Sequence, residues 1–387
     1  MALQIFNSLS RSKQDFVPLT GSKVRMYVCG ITPNNATHLG HAFTYVSFDA
    51  LVRYLQYKNF EVDYLQNATD INDSDDVIAQ AESEGKTWQE EADFWIKHFH
   101  TQMDTLNVFR PTRFVLATSV IDKIIEVNSD LLKKGFAYTK NGSLYFDITK
   151  FTSYGRLSRF SVEQMLSISR ERGGNPDDPN KKNPLDFVLW FGTPDEPSWD
   201  TPFGKGRPGW HIECSTMIDD ILGPQIDIHA GGRDLIYPHH ESEIAQSESY
   251  SGKSPFVGTW MHTAMVLYEG EKMSKSLGNL VLIEDLLKKY SPGSIRWMLL
   301  SHHYREPWEF EEFELEQVEK KVKEIKKTLK NAAVNREQIT NNSLEDFESL
   351  MDDDLNTPKV LELIGKFVSE NKKSDAKNIL QILGFLL

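Results

Sequence analysis

The sequence predicts an α/β protein: a doubly wound parallel sheet, interrupted by an inserted subdomain and followed by a helical bundle. Three observations carry this. Val24-Arg25-Met26-Tyr27-Val28 alternates like a buried strand, Ala42 to Tyr57 repeats apolar residues at helical spacing, and Glu61 to Asp70 reads as a second strand; strand, helix, strand opens a doubly wound unit. Between Phe136 and Pro194 the texture changes to short strands and polar loops. From Ile283 the pattern is helical to the end, with one break near Asn331 to Ser343.

Met1 to Gly21 is a lead-in with a short strand at Leu3-Gln4-Ile5-Phe6. The turn after the second strand, Thr69 to Asp76, is acidic and suits helix N-capping. Thr87 to Leu106 and Val120 to Lys134 read as amphipathic helices. Asn141-Gly142 between Phe136-Ala137-Tyr138-Thr139 and Ser143 to Asp147 signals a hairpin. Phe151 to Pro194 is polar, with a loop at Gly173 to Pro179, and Leu185 to Trp190 returns to extended, buried character. Pro208 to Leu222 reads as a helix, with Pro near its start and Gly after its end. Gln225 to Ala230 is a strand turning at Gly231-Gly232, Tyr237 to Tyr250 a helix, and Val257 to Val266 contains a further strand. Glu269 to Asn279 is a polar, glycine-bracketed loop. The division that follows is 1–135 for the first half of the sheet domain, 136–200 for the insertion, 201–285 for the second half and 286–387 for the helices.

The bulk numbers narrow the class. The chain has 387 residues, 40% hydrophobic, with a net charge of −13. That is globular composition with room for real cores. The acidic balance argues against a protein that depends on an extensive basic face for nucleic acid. No segment approaches the roughly 20 apolar residues of a membrane span, and Met1 to Asp15 lacks a signal-peptide core. Two cysteines, Cys29 and Cys214, in a chain without an export signal point to the cytoplasm.

Those two cysteines belong to the first of two constellations. Cys29 ends the first strand. His239 and Glu243 lie four apart and share a helix face, while His240, three from Glu243, could replace His239. Two thiolates, an imidazole and a carboxylate suit zinc better than a hard cation. Glu243, the weakest ligand, fits a site that opens to accept a substrate. The alternative is two core thiols and a solvated helix face.

The second constellation suits phosphate. His38 and His41 sit where the first helix begins, and Gly40 between them lets a ligand lie close to the backbone. Lys272 and Lys275 in the polar loop could supply positive charge. Gly231-Gly232 and Asp234 follow a strand, where an acid commonly holds a ribose hydroxyl. Each piece alone is weak; at three strand ends together they favour ATP.

His38-Leu39-Gly40-His41 and Lys272-Met273-Ser274-Lys275-Ser276, in that order, resemble the paired signatures of class I aminoacyl-tRNA synthetases, whose sheet is Rossmann-like. Tyr27-Val28-Cys29-Gly30, Gly206 to Ser215 and Pro238 to Ser247 resemble the cysteinyl-tRNA synthetase branch, over roughly Gly21 to Phe310. The resemblance implies that Cys29, Cys214, His239 and Glu243 hold one zinc, which binds the thiolate of substrate L-cysteine. It implies that Thr32, Thr69 and Trp210 line the cysteine pocket and that Gly40, Gly231, Gly232 and Asp234 serve ATP. It implies that His38, His41, Lys272 and Lys275 stabilise adenylation, with ATP entering as its Mg2+ complex.

The acceptor is a separate question. Ile31-Thr32-Pro33, Ala36 to Ala42, Gly278 to Leu282 and His302-His303-Tyr304-Arg305 look like a sister family, the mycothiol-pathway ligase, which joins activated cysteine to an amino sugar-inositol. Glu243 leans back toward the synthetases, and Asn34-Asn35 departs from both. The tail from Glu311 to Leu387 is net acidic and too short for an anticodon-reading domain. The expectation is therefore a compact, monomeric, cysteine-adenylating ligase that transfers to a small amine. Charging of tRNA(Cys), for which the basic stretch Lys320 to Lys330 could touch an acceptor stem, is the alternative, and a silent nucleotide-binding paralogue a third.

Overall fold

Lys23–Ile31 is the middle strand of the protein's central sheet. The structure, a computed structural model, describes residues 2–74, 76–273, 277–332 and 340–386. Five parallel strands stand in the spatial order Val257–Thr263, Ile226–Gly232, Lys23–Ile31, Glu61–Ala68, Arg113–Leu116. The chain builds from the centre to one edge, then returns to build the other, which is the doubly wound arrangement expected. The reversal falls between Lys23–Ile31 and Ile226–Gly232, where such a sheet opens a crevice past its strand ends. Val24, Met26, Tyr27 and Val28 are fully buried, as a parallel strand covered on both faces requires.

The helix Leu39–Tyr57 leaves that crevice with His38 as its N-cap, the ring accepting from the Gly40 amide. Val46, Ala50, Leu51, Tyr54 and Leu55 are all buried, as their spacing predicts. So are Asp49 and Arg53, which pair at 2.7 Å. Arg296, from the helix Pro292–Leu300, shares the same Asp49 oxygen and donates to the Leu383 and Leu106 carbonyls at 2.9 and 3.0 Å. This ionic knot ties the first helix of the sheet domain to the end of the chain.

A separate antiparallel sheet is formed by Ala137–Lys140, Ser143–Phe146, Phe187–Gly192 and Gly206–Pro208, its last strand lying past residue 200, the expected end of the insertion. Its first hairpin turns on Asn141 and Gly142, both at positive φ (49° and 82°), the twist that two-residue hairpins favour. Inside the polar stretch, ahead of the loop at Gly173 to Pro179, lies a helix, Val162–Glu171, started by a reciprocal cap between Ser161 and Gln164.

Several expectations need correction. Pro208 ends a strand opposite Trp190 rather than opening a helix; at the sheet's edge its missing N–H costs nothing, and the helix is Trp210–Ile221. Gly231 and Gly232 finish the strand Ile226–Gly232. Tyr237 is extended (φ −139°, ψ 134°), so the regular helix is only Glu241–Ser251. In the acidic turn, Asp70 caps no helix of its own; it accepts from the Thr118 amide and hydroxyl at 3.0 and 2.5 Å. After Ile283 the described residues fall into six helices, with a strand between the second and the third. Trp308–Glu309 pairs with Val266–Tyr268, because Trp308 fills a core position between His302 (stacked, 3.9 Å) and Phe43 (edge-on, 5.6 Å). Among the described residues no helix is long and apolar enough to cross a membrane.

Candidate active site

The crevice at the sheet's reversal holds a cavity of about 300 Å³. Cys29, Thr32, His38, Gly40, His41, Thr69, Trp210, Cys214, Gly232, Asp234, His239 and Lys272 line it. Glu243 and Gly231 stand behind the wall, Glu243 fully buried. Lys275 lies outside the described residues.

The floor gathers the metal-type donors. One donor atom each from Cys29, Cys214, His239 and Glu243 lies within 4.8 Å of the others. Cys29 comes from the end of the central strand, Cys214 from the helix Trp210–Ile221, and His239 and Glu243 from successive turns. The two thiols are free and buried. His239 Nδ1 meets His211 Nδ1 at 2.9 Å, which leaves His239 Nε2 facing Glu243 Oε1 at 3.1 Å. Glu243 Oε2 is held by His229 Nε2 at 3.0 Å, while Oε1 is buried without an aligned hydrogen bond. Burial pushes the Glu243 carboxyl up, and burial together with Cys214 pushes the Cys29 thiol up. Converging sulfur, nitrogen and oxygen lone pairs with an orphaned carboxylate oxygen fit a shared cation, and two sulfurs among four donors fit zinc.

A second, overlapping set comprises Cys29, His229, His240 and Glu243. His240 Nε2 is 3.2 Å from Cys29 Sγ, but its Nδ1 is engaged by His262 at 2.8 Å, and this set lacks Cys214. The set containing both thiols uses His239.

The mouth gathers the phosphate-type groups. His38 Nδ1 accepts from the Gly40 amide at 3.1 Å, so the ring's proton sits on Nε2. Its ring stacks on His41 at 3.8 Å. Burial lowers His38 to about 2, helped by His41 and Lys272. Burial lowers His41 to about 4 against the pull of Asp234, although its outer edge faces the open cleft, where water moderates the shift. Both rings are therefore neutral donors at neutral pH. Asp234 lies 3.1 Å from Arg172 and 3.7 Å from Lys272. Burial alone would raise its carboxyl, but those two cations outweigh burial and hold it below its ordinary value. Gly232 leaves room for this acid, since a Cβ there would lie 2.6 Å from Asp234 Oδ1.

Between floor and mouth, Thr69 takes a hydrogen bond from Asn67 Nδ2 at 3.3 Å. Asn67 Oδ1 accepts from the Gly30 amide at 2.7 Å, and a Cβ at Gly30 would lie 1.5 Å from the Asn67 carbonyl. Trp210 stacks on His239 at 4.4 Å, its amide bonded to Asp73 at 3.1 Å. Sequence reasoning missed Asn67, Asp73, Arg172, His211 and His229. Polar Asn67 inside an otherwise buried strand was a readable signal; Arg172, in a polar insertion, carried none.

Comparison with known proteins gives the chain's family. Residues 15–320 match the family described as tRNA synthetases class I (C) catalytic domain. A cysteine–tRNA ligase of Dehalococcoides mccartyi is 44% identical over 380 residues, covering 97% of this chain and 82% of that protein. One from Shewanella amazonensis is 43% identical over 371 residues, covering 95% and 79%. In fold, the chain is similar to Mycobacterium tuberculosis methionyl-tRNA synthetase in complex with methionyl-adenylate, with a TM-score of 0.63 at 15% identity, covering 94% and 89%.

Proposed function

The chain belongs to the class I cysteinyl-tRNA synthetase family of ATP-dependent ligases, and from that premise we propose that it adenylates L-cysteine and transfers it to tRNA(Cys). The observation that carries the reading is the meeting of four zinc-type donors within 4.8 Å on the floor of a cleft whose mouth holds two stacked, neutral histidines. Cys29, Cys214, His239 and Glu243 would hold a zinc ion, which would serve as Lewis acid for the substrate's thiolate, for which serine's hydroxyl is a poor substitute. Thr32, Thr69 and Trp210 then surround the amino acid. Its carboxylate attacks the α-phosphate of Mg2+–ATP, forming the mixed anhydride and expelling pyrophosphate. His38 and His41 donate through neutral N–H groups to the phosphates, next to the Gly40 backbone, and Lys272 and Lys275 add positive charge. Gly231, Gly232 and Asp234 hold the adenosine side. Catalysis is thus positioning and electrostatics. The working division into 1–135, 136–200, 201–285 and 286–387 assigns activation to the first and third parts.

The small-amine acceptor expected from the sequence finds no support in the relatives above, which are named cysteine–tRNA ligases. The basic stretch Lys320 to Lys330 lies largely on one helix, Glu312–Leu329, so an acidic chain still offers a local cationic strip for an acceptor stem. Two assays test the reading. Cysteine-dependent exchange of pyrophosphate into ATP is expected, with serine inactive; no exchange by zinc-loaded protein sinks the activation step. Cysteine and ATP offered with tRNA(Cys) or with glucosaminyl-inositol are expected to acylate the tRNA; acylation of the amino sugar alone restores the other acceptor.

A further inference from the structure

One buried polar group has no part in the reaction above: the hydroxyl of Tyr27. Tyr27 lies two residues before Cys29 on Lys23–Ile31, so both side chains leave the strand on one face. The residue is fully buried and shares a packed cluster with Cys29 and Cys214. Its ring meets His229 edge-on at 5.0 Å, and His229 in turn holds Glu243. The hydroxyl is shut off from water and makes no aligned hydrogen bond. Burial pushes the phenol up, and the neighbouring acidic groups Cys214, Cys29 and Glu243, Cys214 foremost, push it further. A phenol proton enclosed among sulfur and carboxylate groups is available to an anionic one of them, and the thiols Cys29 and Cys214 share its packed cluster.

We infer that Tyr27 is a positioning residue for the metal centre: its O–H donates to the Cys214 thiolate, orienting that sulfur and setting how tightly the site holds zinc. The inference rests on the zinc reading proposed above. Tyr27 touches neither substrate nor ATP, and acts through a ligand, as outer hydrogen bonds do at metal sites.

Tyr27→Phe removes the oxygen and keeps the ring against His229. Zinc affinity of the intact protein, read by competition with a chromogenic chelator, is expected to fall by about ten- to a hundred-fold. In cobalt-substituted protein the thiolate-to-metal charge-transfer band is expected to move to longer wavelength, because the sulfur lone pair has lost its donor. Circular dichroism is expected to be unchanged. Tyr45→Phe is the control, since the Tyr45 hydroxyl bonds the Cys29 backbone carbonyl (3.2 Å) and not a sulfur; its band should stay in place and its affinity within about twofold. An unmoved band and retained affinity in Tyr27→Phe overturn the inference, as do equal changes in both variants, which would trace the effect to packing. Wild-type protein that takes up neither zinc nor cobalt overturns the zinc reading itself, a separate failure seen before any variant is compared.

Discussion

His38 combines two jobs that a single substitution can separate. Its Nδ1 caps the helix Leu39–Tyr57 by accepting from the Gly40 amide at 3.1 Å. Its Nε2–H is then the proposed donor to phosphate. Asparagine is as good a cap, because its side-chain oxygen reaches the same amides, but its amide group is too short to replace the far edge of an imidazole. His38→Asn should therefore leave stability within about 0.5 kcal/mol of wild type, while His38→Ala should lose about 1 kcal/mol. Both should slow cysteine-dependent pyrophosphate exchange by about 10²- to 10³-fold, or about 2.7–4 kcal/mol of transition-state stabilisation, mostly in kcat. The pH profile adds a second check. With burial foremost lowering His38 to about 2, the ring is neutral at pH 7. The group is neutral across the working range, so the rate should show no histidine limb between pH 6 and 8. The stability sign follows from the same shift. A histidine whose folded pKa is lowered contributes fully above its unfolded value of about 6.5 and loses that contribution as pH falls below it. Exchange within about tenfold of wild type in His38→Asn, or an acid limb near 6.5 that vanishes in the variant, would refute the neutral-donor reasoning. Equal destabilisation of the two variants would refute the cap.

Two further outcomes bear on the frame around the site. Cys214→Ala should lose bound zinc and the discrimination of cysteine from serine together, measured by metal analysis and exchange with each amino acid; unchanged zinc content would refute the ligand set. Asp49→Ala should destabilise the protein by about 3–5 kcal/mol in urea titration, because it strands Arg53 and Arg296 without their shared counter-ion; a loss under about 1 kcal/mol would mean that the two guanidiniums find water.

The parts of the site that were legible in sequence are those whose chemistry is local. Cys29 and His38 mark a strand end and a helix cap within ten residues, and His239 and Glu243 carry their i, i+4 spacing across the distorted turn after Tyr237. The sheet was legible for the same reason, since alternation and helical period are properties of short windows. What stayed hidden depends on segments far apart in the chain. Nothing near Arg172 says that it reaches Asp234, nor anything near His211 that it orients His239. Trp308 broke an otherwise helical reading because a partner strand at Val266–Tyr268 awaited it. The acceptor was not legible, because residues such as Asn34 and Asn35 lie in loops beside the cleft, where periodicity carries no information.

The pairing of Lys23–Ile31 with Ile226–Gly232 has a consequence for how the protein is made. The two strands that frame the crevice are separated by the rest of the first half-sheet and the whole insertion. On a ribosome, Cys29 emerges early and waits while a self-contained antiparallel sheet is synthesised; its proposed partners Cys214, His239 and Glu243 follow only afterwards. Under the zinc reading proposed above, Cys29 in a half-built sheet lacks the other three donors, which join it only after both halves have closed. On that reading the donor set is completed only with the second half of the sheet, and an accessible Cys29 thiol would report chains that stalled before it.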